Sequence, residues 1–326
     1  MGFFSSCFKE DEIVIPHDPG EVITAVIPMR KEYTDQYYFK LDNNEIVSSN
    51  NRSIFDLNFS CNDTLSHIRL NTANFAMAAV TEFDKLEDVN DTIGLRWNFD
   101  KSDGDIDSLA LKNWISVLDG DTTYSNKVWV INQGMSALGI QLGLKKILFH
   151  ELKGGKYFFS FSNMDNSGLV ETFVEKDNVF SSIQYSFQDK TEMQTEPEMD
   201  SWDLLFTTYS TLLFTDEGSA YPYLVTGALQ NQNYSMVSLD TNLVFSEITL
   251  ADTVLLDFKK DLDMIGYDWK KIIGDVELGD YYYVTKLNNT YIIKDNNSFY
   301  YKLRFIDFND PETGEQGFPT FEYQKL

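Results

Sequence analysis

Four segments of this chain occur twice, in the same order, and that recurrence restricts the fold more than any other feature. Ser53-Ile54-Phe55-Asp56-Leu57-Asn58-Phe59 is matched by Ser201-Trp202-Asp203-Leu204-Leu205-Phe206, each preceded by a tyrosine-rich strand, at Tyr37 and at Tyr185. Phe83-Asp84-Lys85-Leu86 with Asp91-Thr92 is matched by Phe245-Ser246-Glu247-Ile248 with Asp252-Thr253. Asp105-Ile106-Asp107 with Trp114 is matched by Asp261-Leu262-Asp263 with Trp269. Lys127 to Asn132, closing with Tyr157 to Phe161, is matched by Asn289 to Lys294, closing with Pro319 to Tyr323. The spacing drifts from about 148 residues to just over 160 along the series, as a tandem duplication with a few loop insertions predicts. Each copy then has an ordinary domain length, with a joint near Asn163 to Gly168: a tether over residues 1–20, one domain over 21–165 and a second over 166–326.

The repeated unit reads as β-structure. Short alternating runs of aromatic and β-branched residues are cut by Asn, Asp and Gly clusters, as strands and their turns require. They are Tyr37 to Leu41, Ile54 to Phe59, Lys127 to Ile131, Tyr157 to Phe161, Trp202 to Phe206, Tyr281 to Thr285, Tyr291 to Ile293 and Tyr300 to Phe305. Helical periodicity is weak; short helices are expected only near Ser108 to Val117 and Asp261 to Ile272. The predicted class is all-β, antiparallel, with few short helices.

Charge narrows the partners. With 51 acidic against 26 basic residues the chain carries a formal charge of −25, which repels nucleic-acid backbones and anionic membrane surfaces. The acids are spread over many Asp and Asn turns and serve as a solvated surface. No run of 18 apolar residues is present to span a bilayer. The two cysteines, Cys7 and Cys61, make no metal pair or disulfide framework, and Cys61 reads as a free buried thiol. Phe4-Ser5-Ser6-Cys7 has the shape of the segment preceding a lipid-modified cysteine, although the charged and apolar regions of a secretion signal do not stand before it. Cys7 is thus the lipidation candidate, with an acidic N-terminus bearing an incidental cysteine as the alternative. Phe8-Lys9-Glu10-Asp11-Glu12 resembles the tether with which Bacteroidota send lipoproteins to the cell surface.

Catalytic signatures are missing. His150-Glu151-Leu152-Lys153-Gly154 begins like a zinc-binding helix but has glycine where the second histidine belongs. Asp100 to Asp107 fails as a calcium loop, because placing Gly104 at the sixth position puts Phe99 first and Ala110 twelfth. No nucleophile elbow, P-loop or dinucleotide fingerprint occurs. The expectation is a binding protein, not an enzyme.

The second copy resembles the HmuY family of bacterial haem-binding lipoproteins. The resemblance lies in Asp200-Ser201-Trp202-Asp203-Leu204-Leu205-Phe206 and in the closing stretch from Thr290-Tyr291-Ile292-Ile293-Lys294-Asp295 through Tyr300-Tyr301-Lys302-Leu303-Arg304-Phe305 to Gly317-Phe318-Pro319-Thr320-Phe321-Glu322-Tyr323-Gln324. It implies two tandem HmuY-like antiparallel β-domains on a surface lipoprotein, facing outward from the outer membrane and attached only by its lipid. It also implies a haem held by two axial side chains and an outer-membrane transporter as a possible recipient. The family's glycine-rich segment after the Trp-Asp strand is absent from both copies. By position the candidate haem ligands are Met236, Tyr223, Tyr221, His67 and Met77. Each has a plainer reading: Met77 between alanines as core filler, His67 as a hydrogen-bonded histidine, the two tyrosines as a cap on a core. Met236, in a polar stretch, stands first. The competing expectation is a surface adhesion or interaction module that kept the fold and lost the ligand.

Overall fold

The computed structural model describes residues 19–62, 66–215, 217–275 and 278–326; Cys7 and the tether lie outside them. Eleven strands precede residue 165: β1 (Ile23–Val26), β2 (Asp35–Lys40), β3 (Glu45–Asn51), β4 (Leu57–Ser60), β5 (Ile68–Leu70), β6 (Met77–Val80), β7 (Ile115–Leu118), β8 (Asp121–Tyr124), β9 (Val128–Asn132), β10 (Leu144–Lys153) and β11 (Lys156–Asn163). Eleven follow: β12 (Val170–Glu175), β13 (Ser182–Ser186), β14 (Thr191–Met193), β15 (Leu204–Phe214), β16 (Ala220–Gln230), β17 (Ser235–Asp240), β18 (Lys270–Asp275), β19 (Asp280–Thr285), β20 (Thr290–Asp295), β21 (Tyr300–Asn309) and β22 (Gln316–Lys325). The ladders between these strands are antiparallel, and the all-β class is what the molecule adopts. Of the two segments where short helices are possible, the first holds only the 3-10 turns Ile106–Ser108 and Lys112–Trp114, and the second holds turns. Trp114 ends a single 3-10 turn and leads into β7, while Trp269 directly precedes β18, because both tryptophans are needed in a core between sheets.

The strands form two sandwiches. One packs the sheet β12-β11-β10-β9-β6 on the sheet β14-β13-β4-β5; the other packs β1-β22-β21-β20-β17 on β3-β2-β15-β16. The hairpins β7-β8 and β18-β19 stand apart as two-stranded sheets. Each sandwich has its own aromatic core and draws strands from both sides of residue 165. β1, β2 and β3 sit with β15 to β22, and β12, β13 and β14 sit with β4 to β11.

The two assemblies repeat each other contact by contact. Phe59 stacks on Phe159 at 5.3 Å, and Phe206 on Phe321 at 5.5 Å. Tyr185 meets Phe159 edge-on at 5.1 Å, and Phe39 meets Phe321 edge-on at 5.3 Å. Asn71 ties down the loop before β4 through the Arg52 and Phe55 carbonyls, and Asn231 does so before β15 through those of Met199 and Trp202. Buried Lys146 donates to the Val89 carbonyl at 2.9 Å, and Lys302 to that of Ile248 at 2.8 Å. Such bonds satisfy carbonyls that water cannot reach. The chain crosses between sandwiches at residues 52–56 and 194–203. At the first crossing Arg52 donates to the Tyr33 carbonyl and to that of Ala73, one partner in each sandwich.

Candidate functional site

Two places gather chemistry, and a long hairpin positions the first. β15 and β16 pair from Leu204 with Gln230 out to Phe214 with Ala220, but only Leu204 to Phe206 also pair with β2, so the far end of the hairpin projects. Its turn closes with Thr215 N to Ser219 O at 2.9 Å around Gly218, whose φ of +82° suits glycine. Strand alternation puts Tyr221 and Tyr223 on one face, their rings 6.3 Å apart, exposed by 40% and 53%. The hairpin β18-β19 places Tyr281 and Tyr283 likewise, 6.0 Å apart. Burial raises the Tyr283 phenol, and Tyr281 and then Tyr223 raise it further. Tyr267 is raised by burial, by Asp268 and by Tyr221. Beneath them Lys270 binds the Thr226 carbonyl of β16 at 2.7 Å and lies over the rings of Trp269 and Phe308 at 4.2 and 4.7 Å. Burial pushes its ammonium down to about 7. The result is an exposed tyrosine face on a rigid base.

The second place is a cavity of about 550 Å³ between the two sandwiches, where the four-stranded sheets turn their outer faces towards each other. Gln36 and Tyr38 of β2 and Thr207 of β15 lie on one side; Asn58 of β4 and Ser182 and Gln184 of β13 lie on the other. Ser182 Oγ donates to Glu196 at 2.5 Å, and burial pushes that carboxyl up to about 7 against the hydrogen bonds that lower it. Asp100 accepts from the amides of Leu70 and Ala110 at 2.7 and 2.8 Å, and burial raises it to about 6. His67 lines the same space; burial, then Arg69 and Lys176, push it down to about 3, so its imidazole is neutral.

The five sequence candidates do not converge. Tyr221 and Tyr223 share the hairpin face, and His67 lines the cavity. Met77 and Met236 lie half-buried in β6 and β17, which are edge strands of different sheets, at equivalent registers opposite Asn132 and Lys294. Cys61 is buried and free. Sequence reasoning passed over Lys270, Glu196 and Tyr281. The period-2 spacing of Tyr281 with Tyr283 was a usable signal, whereas only tertiary burial distinguishes Lys270 and Glu196 from other charged residues.

The family model described as HmuY protein matches residues 32–323. Among solved structures the chain is similar to apo PinO from Porphyromonas gingivitis, at 11% identity and a TM-score of 0.29, covering 94% of this chain and 97% of that one. It is also similar to the apo HmuY analog of Tannerella forsythia, at 10% identity and a TM-score of 0.26, covering 95% and 99%. No curated protein matches.

Proposed function

This chain belongs to the HmuY family, and from that premise we propose that it is a non-enzymatic surface lipoprotein carrying haem or a related apolar, planar ligand on its tyrosine face. The observation that carries this reading is the edge-on pair of exposed Tyr221 and Tyr223 on the projecting hairpin. A macrocycle laid there gains aromatic contact on one side, and a tyrosine oxygen can serve as iron ligand. Cys7 would hold the lipid, and an outer-membrane transporter would take the ligand from so open a site.

The halves 21–165 and 166–326 are, in this reading, diverged copies of one β-unit whose first three strands have changed places. The matched aromatic and asparagine contacts support that origin.

Titration with haemin tests the function. Saturable growth of a Soret band is expected, weakened about tenfold by Tyr223→Ala, the loss of one good contact. Met236→Ala is expected to leave the spectrum unchanged; a changed ligand field there would move the site to β17. A second reading, a surface adhesion module that lost the ligand, is favoured by the scatter of the five candidates over four places. Unsaturable broadening with haemin would select it.

A further inference from the structure

We propose that the cavity between the two four-stranded sheets binds a neutral, polyhydroxylated ligand of mono- or disaccharide size. The proposal stands apart from the tyrosine face and from haem.

Three observations carry it. First, the space is of ligand size, about 550 Å³, and exposed Lys101, Asn233 and Lys260 form its mouth. Second, its walls are unusual for the contact between two sandwiches. Where a dry interface would place apolar side chains, β2, β4, β13 and β15 present amides and hydroxyls, with the Tyr38 and Trp202 rings set edge-on at 5.0 Å. Third, polar atoms of the lining residues are buried without a protein partner: His67 Nδ1 and Gln230 Oε1. A buried polar atom costs free energy until something binds it.

The chemistry of the lining selects the ligand. The charged groups are already engaged: Arg69 donates to the Gly104 carbonyl at 2.7 Å, Asp100 holds two amides and Glu196 holds Ser182. Inside the cavity these engagements leave no charge to call for an ion; Lys101 and Lys260 stand at the exposed mouth, where solvent screens them. Amides and hydroxyls donate and accept at once, which matches sugar hydroxyls, and the electron-rich face of an aromatic ring suits the C–H face of a pyranose. A neutral imidazole at His67 adds a further two-way group.

The experiment is saturation-transfer NMR on the whole protein with glucose, galactose, N-acetylglucosamine, maltose and lactose. At least one is expected to receive saturation on its ring protons, in a saturable manner. His67→Phe removes the partnerless nitrogen and keeps a ring in its place, so a melting temperature close to the parent's and about tenfold weaker binding are expected. Leu205→Trp, which fills the cavity, should abolish the signal; His67→Ala replaces it if that variant does not fold. Two results overturn the proposal: no transfer to any of the five sugars, or transfer that persists undiminished in every folded variant.

Discussion

The carboxylate of Asp203 accepts a hydrogen bond from the Leu41 amide at 2.7 Å, between residues 162 positions apart. Asp56 does the same for the Phe187 amide at 2.7 Å. In both sandwiches an aspartate at the entrance of a central strand fastens a strand from the other half of the chain, β2 or β13. Asp203 also binds Lys40 at 3.0 Å.

Asp203→Ala strands the buried Leu41 amide and removes a partner from Lys40. The expected loss of stability is about 2–4 kcal/mol, read as a lower urea midpoint. Asp56→Ala, which strands the Phe187 amide and Gln133, should cost a similar amount. A midpoint unchanged in both variants would mean that these carboxylates do not fasten the exchanged strands.

A chain cut between Ser167 and Gly168, in the exposed turn after β11, is expected to stay together in native buffer, because each fragment completes the other's sandwich. Residues 166–326 expressed alone lack β1 to β3 and are expected not to fold. Size-exclusion chromatography and circular dichroism read both outcomes; an independently folded C-terminal fragment would contradict the strand assignment.

Lys270 titrates low because it is buried. Between about 7 and its ordinary 10.5 the folded chain binds fewer protons than the unfolded one, so its contribution to stability rises with pH across that window. The parent should therefore gain on Lys270→Met by about 1 kcal/mol per pH unit from pH 8 to 9.5, a difference measured by urea unfolding of both.

Glu196 has the opposite sign. Its carboxyl is raised from 4.5 to about 7, so the folded chain keeps a proton that the unfolded chain has lost, and stability falls as pH rises through that window. Glu196→Gln removes this fall while leaving Ser182 a partner. The variant should gain on the parent from pH 5 to pH 7, and identical profiles would place the carboxyl in contact with water.

The strands were legible in the sequence because alternation writes the sheet face directly: Tyr157, Phe159 and Phe161 point into one core as their spacing requires. Phe55 and Trp202, which the sequence sets at matching places, receive the same asparagine tie on their carbonyls. The grouping of strands across residue 165 was not legible. β2 fits beside β4 or β15 equally well on paper, and local propensity is silent about which. What decides is the connection. Only five residues separate β3 from β4, and a short hinge of this kind favours continuing into the neighbouring sandwich over doubling back. The site was legible only where it depends on alternation, as at Tyr221 and Tyr223. Lys270 and Glu196 acquire their character from what is packed around them.

The ladder of β1 with β22 pairs Ile23 with Tyr323 and Val26 with Thr320. Synthesis from the N-terminus therefore leaves β1 without its neighbour until nearly the whole polypeptide exists. Contacts of such long range are slow to form, because the entropy of closing a very large loop must be met before any of them rewards it. Molecules arrested early would display unpaired edges and apolar faces, and these seed aggregation. The same wiring sets the sandwich of β4 to β14, continuous in the chain, inside the sequence of the other, so the outer sandwich closes only after the inner one has been made.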